Sequence, residues 1–319
     1  MPSLRGRRVL VTGGSGVIGR ELLDRLGGRG ADVLSVDRLP LPPPLAGAVS
    51  ERVVDLSETD LGFVEEFQPQ VLFHLAASFE RAEESSDFWA PNWQDNIVCS
   101  HRVLDVTPRI RGLELLVFAS SYLVYDSSRY LRRQSTAPVR PIRESDAIMP
   151  RNLCGAAKFY TERELRFLQG TVGVGFRTRI ARIFRAYGRG SRDVLSRWIR
   201  AALRGEELEV YHPENRFDYV YAGDVAEGLI RMAEAPSVDP VMNLGTGRAR
   251  RVQDLLDIVQ HLASPDSVRL RKIGRDEPYE ASRADLSRLR KCLGWTPPTT
   301  LEQGAKRIWE YEEERLGRS

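Results

Sequence analysis

Short apolar runs alternate with amphipathic stretches along roughly the first 190 residues of the chain. Apolar runs of this length, rich in branched residues, favour buried strands, whereas apolar residues at every third or fourth position favour helices. The predicted strands are 9–11, 32–36, 53–56, 71–77, 113–119 and 176–184, and the predicted helices are 21–26, 59–67, 96–106 and 155–169. This alternation predicts an α/β fold with a doubly wound parallel (Rossmann-type) sheet.

The pattern changes after about residue 188. A short helix at 194–203, a polar strand at 208–211 and a loop at 212–217 interrupt the alternation, and 241–247 has the composition of one more strand that returns to the sheet. From residue 250 onward most of the chain is amphipathic and predicts helix. We therefore expect a nucleotide-binding domain over 1–187, with the returning strand, and a smaller, mostly helical substrate domain over 188–319.

Composition removes several classes of function. The chain of 319 residues has a net charge of +3, and its 47 basic residues are interleaved with acids rather than grouped in a block that could follow a nucleic-acid backbone. It has no apolar run of membrane-spanning length. Three separated cysteines argue for a reducing compartment, and four scattered histidines show no metal-ligand spacing. We expect a cytoplasmic protein with no metal, no nucleic acid and no membrane partner.

The first predicted strand runs directly into Gly13, Gly16 and Gly19, after which a helix is predicted. Glycines at this spacing permit a tight turn and close approach to a pyrophosphate, which the helix N-terminus then stabilises. The second strand ends at Asp37, where an acid would bind a ribose hydroxyl and disfavour a 2′-phosphate. The pattern therefore predicts NAD rather than NADP. The alternative is a glycine-rich turn in an unrelated α/β protein.

Taken together, residues spread along nearly the whole chain resemble the extended short-chain dehydrogenase/reductases that act on nucleotide sugars. The matching positions are 12–19, 37, 55–56, 74–77, 96–97, 120–121, 158, 182, 187–188, 224–226, 243–247 and 293–295. The resemblance implies a tightly bound NAD that is recycled, a nucleoside-diphosphate sugar as substrate, and a homodimer. It places the cofactor on Gly13, Ser15, Gly16, Val17, Ile18, Gly19, Asp37, Arg38, Asp55, Leu56, Leu75, Ala76, Ala77, Asn96 and Lys158.

The chain departs from this family at its active-site motif. The family has Tyr-x-x-x-Lys on a helix, and here Cys154 precedes Lys158 at that spacing, which places both side chains on one helix face. Lys158 is one of only four lysines in a chain that otherwise uses arginine, which fits a role for a compact ammonium. Cys154 is either a thiolate base, activated by the ammonium, or a small apolar filler.

A second departure follows the fifth predicted strand. Sugar-nucleotide 4,6-dehydratases resemble this chain there but carry Thr-Asp-Glu, where this chain has Ser121, Tyr122 and Leu123. The acid and base of conventional water elimination are therefore absent, and Tyr122 is the candidate replacement base. The alternative is an aromatic residue that packs at the strand end. Glu80 is the nearest carboxylate we can offer as an acid/base partner, or it is a solvated loop residue.

The substrate side of the resemblance rests on five further residues. Arg185 stands where the family usually has asparagine, and Arg216 lies one position before the family's usual arginine. A guanidinium group binds phosphate oxygens through two parallel hydrogen bonds, so both are candidates for the diphosphate, or else for pairing with surface acids. Ser78, Arg182 and Leu195 complete the set of expected substrate contacts.

Four functions are compatible with these residues, three of them enzymatic. The departures are similar to those of UDP-N-acetylglucosamine 5,6-dehydratases of tunicamycin-type antibiotic biosynthesis, which oxidise C4, eliminate water across C5–C6 and reduce C4 again. The alternatives are a UDP-sugar 4-epimerase, a non-catalytic relative that binds NAD and a sugar nucleotide, and a simple oxidoreductase that releases NADH. The first is the function we expect.

Overall fold

The structure is a computed structural model, and it describes residues 3–43, 45, 47–79, 86–171, 175–236, 239–263, 268–274 and 278–317. The strands are β1 (Arg8–Thr12), β2 (Asp32–Asp37), β3 (Ser50–Val53), β4 (Val71–His74), β5 (Leu115–Ser121), β6 (Leu131–Arg132), β7 (Arg177–Ile183), β8 (Arg185–Tyr187), β9 (Leu208–Tyr211), β10 (Arg216–Tyr221), β11 (Val241–Leu244), β12 (Ala249–Arg251), β13 (Leu270–Ile273) and β14 (Tyr279–Glu280).

The helices flank and connect these strands. They are α1 (Val17–Gly28), α2 (Gly62–Phe67), α3 (Trp89–Asn92), α4 (Cys99–Val106), α5 (Leu153–Gln169), α6 (Val194–Arg204), α7 (Ala222–Glu234), α8 (Val252–Ala263), α9 (Ser287–Leu293) and α10 (Leu301–Arg315). A stretch of π-helix, Trp93–Val98, joins α3 to α4, and a turn of 3₁₀-helix, Tyr122–Val124, follows β5.

A parallel sheet of seven strands forms the centre of the fold. Its order is β11-β7-β5-β4-β1-β2-β3, and each neighbouring pair is parallel. Because the chain moves outward from β1 in both directions, the carboxyl ends of β1 and β4 lie side by side at the point where strand order reverses, which is where such folds bind ligands. The doubly wound Rossmann-type sheet predicted from the sequence is therefore confirmed, including the returning strand, now β11.

Three smaller sheets lie beyond this centre. Strands β12, β10 and β8 form one, β13 pairs with β9, and β14 pairs with β6. Apolar residues fill three clusters, two of which cover the faces of the central sheet, while the third joins α6, α8 and α10 to β10. Helix α7 packs on α1, so the second half of the chain also helps to cover the sheet. The domain boundary at residue 187 stays a prediction.

Several predicted bounds were wrong, for local reasons. The third strand ends at Val53 rather than at residue 56, because Asp55 turns the chain by accepting hydrogen bonds from the backbone N–H and the hydroxyl of Ser57 (2.9 and 2.6 Å). The loop predicted for 212–217 ends earlier, since β10 begins at Arg216 and pairs with both β8 and β12. In the part of the chain described, no helix is long and apolar enough to cross a membrane.

Candidate active site at the carboxyl edge of the sheet

The glycine turn after β1 is packed so closely that side chains have no room. Gly13 has φ +77°, and a Cβ there would lie 2.6 Å from the backbone nitrogen of Ala76 at the end of β4. A Cβ on Gly19 would lie 2.1 Å from the carbonyl oxygen of Gly13. Glycine is thus required by the backbone contacts themselves, and the turn brings main-chain groups of β1, β4 and α1 together at one edge.

Open N–H groups and a carboxylate face each other across this turn. The N-cap residue of α1, Gly16, has no side chain that could accept a hydrogen bond from the first N–H groups of the helix. Asp37, at the end of β2, accepts hydrogen bonds from the N–H groups of Ser15 and Leu39, both at 3.0 Å. These bonds hold the Asp37 carboxylate beside the turn with further lone pairs available for a ribose. Val17 and Ile18 open the helix and are partly exposed at this edge.

The loop after β4 is tied to the helix that follows it. Asn96 accepts a hydrogen bond from the N–H of Ser78 (2.8 Å) and donates to the carbonyl of Ser78 and to Asn92 (2.9 and 2.8 Å). Both amide hydrogens and the oxygen of Asn96 are used in this way, so its side chain positions the loop. The sequence analysis expects Asn96 to bind the cofactor, and that stays a prediction. The hydroxyl of Ser78 is bound to Asp95 and Arg38, which form a two-pronged ion pair.

At the rim of the sheet, Asp55 and Leu56 have different surroundings. Asp55 is about a third exposed and faces Arg38 at 3.8 Å, whereas Leu56 is buried. Leu75, Ala76 and Ala77 leave β4 beside the glycine turn with their side chains partly or fully exposed. Small groups at this point leave space at the carboxyl edge, where a nucleotide would lie.

Lys158 is a buried cation with no anionic partner among the described residues. It is 9% exposed, its Nζ lies 4.8 Å from the ring centroid of Phe118, and no described group forms a hydrogen bond or an ion pair with it. Burial lowers the pKa of the Lys158 ammonium below its usual value. A buried ammonium without a partner is costly, which indicates that the site is completed by a ligand with hydroxyl or phosphate oxygens.

His74 lies behind this lysine and is a structural residue. It is fully buried, its Nδ1 lies 2.7 Å from the Thr12 hydroxyl and its Nε2 lies 3.0 Å from that of Ser100. Burial, together with the charge of Lys158, lowers the pKa of His74 to about 3, so the ring stays neutral. The histidine therefore links β1 through β4 to α4 and leaves the ammonium as the charged group of this region.

The start of α5 places Cys154 and Lys158 against the end of β5. Asn152 caps the helix by accepting a hydrogen bond from the N–H of Gly155 (2.8 Å). A Cβ on Gly155 would lie 2.4 Å from the carbonyl oxygen of Leu123, so this glycine allows the helix to touch the turn after β5. Cys154 is 5% exposed. It lies close enough to Lys158 to raise the pKa of the ammonium, although the opposing effect of burial is larger. Motif spacing did not reveal Gly155, although it lies directly inside the motif.

Tyr122 is not placed as a base. Its hydroxyl donates a hydrogen bond to Oε1 of Glu280 (2.9 Å), and its ring stacks on Phe184 with the centroids 5.1 Å apart. Burial, and then the negative charge of Glu280, raise the pKa of the Tyr122 phenol well above its usual value. A phenol that donates to a carboxylate in this way is not poised to accept a proton from a sugar hydroxyl, and the role of Tyr122 as a base stays a prediction. Ser121, by contrast, is only half-buried at the strand end.

Glu280 and Arg151 are residues that sequence reasoning missed. Arg151 donates to Oε2 of Glu280 (2.7 Å) and lies over the ring of Tyr130, so the carboxylate is held between a phenol and a guanidinium. Glu280 is 158 residues from Tyr122 and belongs to a two-residue strand. No local pattern marks such a position, so only the folded chain could identify it.

Arg185 is the cation that faces this cluster. Its guanidinium lies 3.8 Å above the ring centroid of Phe217, which occupies the place of the family's usual arginine on β10. Burial disfavours its charge, but the nearby Tyr122 and Glu280 more than compensate and raise the pKa of Arg185 above the ordinary value. Arg185 thus places a positive charge, carried by β8, beside Phe217 of β10.

Three of the expected substrate contacts are corrected by the structure. Arg182 is 1% exposed and donates twice to Glu162, so its guanidinium is used inside the protein. Leu195 is fully buried in the third apolar cluster and has no surface to offer. Arg216 precedes Phe217 on β10, and because successive residues of a strand point to opposite faces, Arg216 faces away from Arg185. Glu80 lies outside the described residues.

The glycine turn after β1 and the residues around it fit a dinucleotide. Backbone groups replace side chains where the pyrophosphate would approach, Asp37 is held for a ribose, and no residue in the described part of the chain pairs with the Lys158 ammonium as an anion. These features define a dinucleotide-binding protein of the Rossmann type. The chain belongs to the NAD dependent epimerase/dehydratase family, whose model matches residues 9–245. NAD is therefore its cofactor.

Known proteins resemble this chain over nearly its whole length. The putative UDP-glucose 4-epimerase of Methanocaldococcus jannaschii is 26% identical over 313 residues, which cover 94% of this chain and 96% of that protein. The structure of MoeE5 in complex with UDP-glucuronic acid and NAD has a TM-score of 0.82 at 28% identity, and the match covers 97% of this chain and 100% of that one. TunA, an NAD-dependent NDP-hexosamine 5,6-dehydratase involved in tunicamycin biosynthesis, has a TM-score of 0.81 at 26% identity, with coverage of 97% and 98%.

Proposed function

We propose that the protein is a nucleotide-sugar dehydratase that oxidises C4 of a UDP-hexosamine, eliminates water across C5–C6 and returns the hydride, with UDP-N-acetylglucosamine as the candidate substrate. The observation that carries the proposal is Lys158, a buried ammonium with no anionic partner among the described residues, one helical turn after Cys154. It supports hydride chemistry at a sugar carbon without the family's tyrosine. The similarity to TunA over nearly the full chain supports elimination.

The chain's own residues divide the work of this reaction. When bound, NAD accepts a hydride from the sugar and gives it back. Lys158 holds a ribose hydroxyl and supplies a positive charge that favours loss of a nearby proton. Ser121 and Cys154 are the polar groups beside it, and Cys154 serves either as the proton acceptor or as the space that admits another group. Glu280, held by Tyr122 and Arg151, fixes a negative charge at the sugar end.

Arg185 holds the diphosphate in this proposal. Its guanidinium is stacked on Phe217 and has no ion pair among the described residues, so its hydrogen-bond donors are available to phosphate oxygens. The cation thereby fixes the nucleotide, and the sugar is directed toward Ser121 and Lys158. This arrangement uses an arginine from β8 in place of one from β10.

Product mass tests the reaction. The purified protein, with the NAD it retains, is incubated with UDP-N-acetylglucosamine, and the nucleotide sugars are analysed by mass spectrometry and nuclear magnetic resonance. We expect a product that has lost one water and carries a 5,6-double bond. An unchanged mass with a new C4 configuration would show a 4-epimerase instead, and steady accumulation of NADH would show a simple dehydrogenase. Binding with no product in any sugar-nucleotide incubation would show a non-catalytic relative.

A 4-epimerase is the second candidate function. The observation in its favour is the match over 94% of this chain with the putative UDP-glucose 4-epimerase of M. jannaschii. Both reactions begin with oxidation at C4, so Lys158 and Ser121 have the same tasks in each. UDP-glucose in the same assay separates the two candidates, since an epimerase converts it to the C4 epimer.

We propose further that the protein is a homodimer through the outer faces of α3 and α5. Trp89, Trp93, Tyr160 and Phe167 are 66%, 56%, 47% and 79% exposed, and α3 packs against α5. Tyr160 and Phe167 are seven residues apart and so share a helix face. Light scattering should give twice the chain mass, and Phe167→Glu should give the monomer. A monomeric wild-type protein would refute the dimer.

A further inference from the structure

Three arginines line a cavity on the reverse face of the small β12-β10-β8 sheet. The cavity is ≈ 420 Å³, and it is lined by Val139, Arg216, Ala249, Arg251, Asp254 and Arg283. We call it the arginine cavity. Its volume suits a small ligand, and its lining is mainly polar and positively charged.

The charges in the arginine cavity are not balanced by described residues. Arg251 is paired with Asp254 at 3.0 Å, and Asp254 is shared with Arg250, also at 3.0 Å. Arg216 and Arg283 form no ion pair with any described residue, and the Nε atoms of both are buried without a hydrogen-bond partner. Because both arginines line the cavity without an acid as partner among the described residues, their guanidinium groups are available to an anion bound there.

The arginine cavity is separate from the proposed substrate site at Arg185, Ser121 and Lys158, which we call the cleft. Opposite residues of paired strands share a face, and β10 pairs with β12 so that Arg216 lies opposite Arg251 while Phe217 lies opposite Arg250. Arg185 stacks on Phe217, which places the cleft cation on one face and the cavity arginines on the other. The diphosphate of a substrate on Arg185 therefore does not reach Arg216.

We propose that the arginine cavity is a second anion site, which binds a small ligand of the phosphate class. Guanidinium groups of Arg216 and Arg283 present donors in planar forks that match phosphate oxygens, and Asp254 holds Arg251 at the edge of the cavity. Two unpaired positive charges favour a ligand with two or more negative charges. Inorganic diphosphate is the simplest such compound, and it carries no base or sugar for the cleft to recognise.

Calorimetric titration of inorganic diphosphate into the NAD-loaded protein, at constant ionic strength, tests this site. The variant R216Q/R283Q should lose at least tenfold in diphosphate affinity. The variant R185Q removes the cation of the proposed substrate site and should keep the binding event that R216Q/R283Q loses. The variant R111Q/R290Q, at two exposed arginines, is the charge-matched control for the double variant. Because R185Q is included, failure of the proposed nucleotide-sugar function and failure of the second site give different results.

Two outcomes would overturn the proposal. One is an unchanged diphosphate affinity in R216Q/R283Q, and the other is an affinity that R185Q abolishes, which would place the anion in the cleft alone. Circular dichroism verifies that each variant is folded. Should R216Q/R283Q not fold, R216K/R283K keeps both charges without the planar forks, and it must still bind diphosphate more weakly than the wild type.

Discussion

The glycine turn and the Tyr122–Glu280 region lie at the same edge of the sheet, but they are built in different ways. In the turn, backbone meets backbone, and a Cβ on Gly13 or Gly19 would come within 2.6 or 2.1 Å of a main-chain atom. In the other region, side chains from positions 122, 151 and 280 meet through hydrogen bonds. The first arrangement tolerates almost no change, whereas the second can be rebuilt by exchanging side chains, and it is there that this chain departs from its family.

The largest effect should come from the buried ammonium on α5. Lys158→Ala should lower kcat by about 10²–10⁴-fold, because a positioned charge that assists proton transfer contributes on that order. Product formation measured by mass spectrometry checks this, and Lys306→Ala, a change at a side chain 70% exposed on α10, is the control. Activity of Lys158→Ala within threefold of the wild type would contradict the role of the ammonium.

Within the glycine turn, one added methyl group at Gly19 should be enough to disrupt NAD binding. Gly19→Ala should destabilise the fold by about 1–3 kcal/mol and release NAD, because the added Cβ overlaps the Gly13 carbonyl. Gly27→Ala, on the same helix with nothing within 4 Å, should be neutral or slightly stabilising. Thermal unfolding and the NAD content after gel filtration measure both. Equal NAD retention by the two variants would show that the turn is less constrained than its packing indicates.

In the region of Tyr122 and Glu280, substitution of Arg185 should have a smaller effect, which is limited to substrate binding. Arg185→Gln should weaken UDP binding by about 10–100-fold, since it removes a charged donor to phosphate. Arg216→Gln should leave UDP affinity unchanged, because Arg216 points to the other face of β10. Calorimetric titration with UDP measures both. The reverse result would return the diphosphate to Arg216 and would falsify the placement of the cleft.

The smallest effect concerns pH and the buried His74. The folded-state pKa of His74 is about 3, below its unfolded value. The contribution of His74 to stability is therefore complete above about pH 6.5 and is lost as the pH falls toward 3. Between pH 7 and 5 the wild type should therefore lose about 1–2 kcal/mol that His74→Gln does not lose. The measurement is the free energy of unfolding in urea at both pH values. Parallel losses in the two proteins would show that His74 titrates normally.

The elements that the sequence predicted correctly are those with a strong local pattern. Strand β9 matches the predicted range 208–211, and α5 begins two residues before the predicted helix because Asn152 supplies the cap. The glycine turn was also predictable, since glycine spacing after an apolar run is a local property. By contrast, the end of β3 was not predicted correctly. The Asp55 side chain accepts a hydrogen bond from Ser57, which favours a turn over a continued strand, and strand propensity does not include this bond.

The site was predictable only in part, for a related reason. Motif spacing led to Cys154 and Lys158, and the structure keeps these two residues close together at the start of α5. It did not reveal the hydrogen-bond partner of the Tyr122 phenol, because that partner, Glu280, lies far along the chain. It also gave Arg182 to the substrate, although Glu162 occupies that guanidinium inside the fold.

The sequence by itself determined the order of strands and helices, the glycine cradle, the acid at the end of β2 and the lysine on α5. These features depend on neighbours within a few residues, where backbone geometry and periodicity leave little choice. Only the tertiary structure decided which face of β10 each side chain takes, which carboxylate meets Tyr122, and which arginines remain without an acid. Those outcomes depend on contacts between distant segments, and both the pKa of a group and its availability to a ligand follow from such contacts.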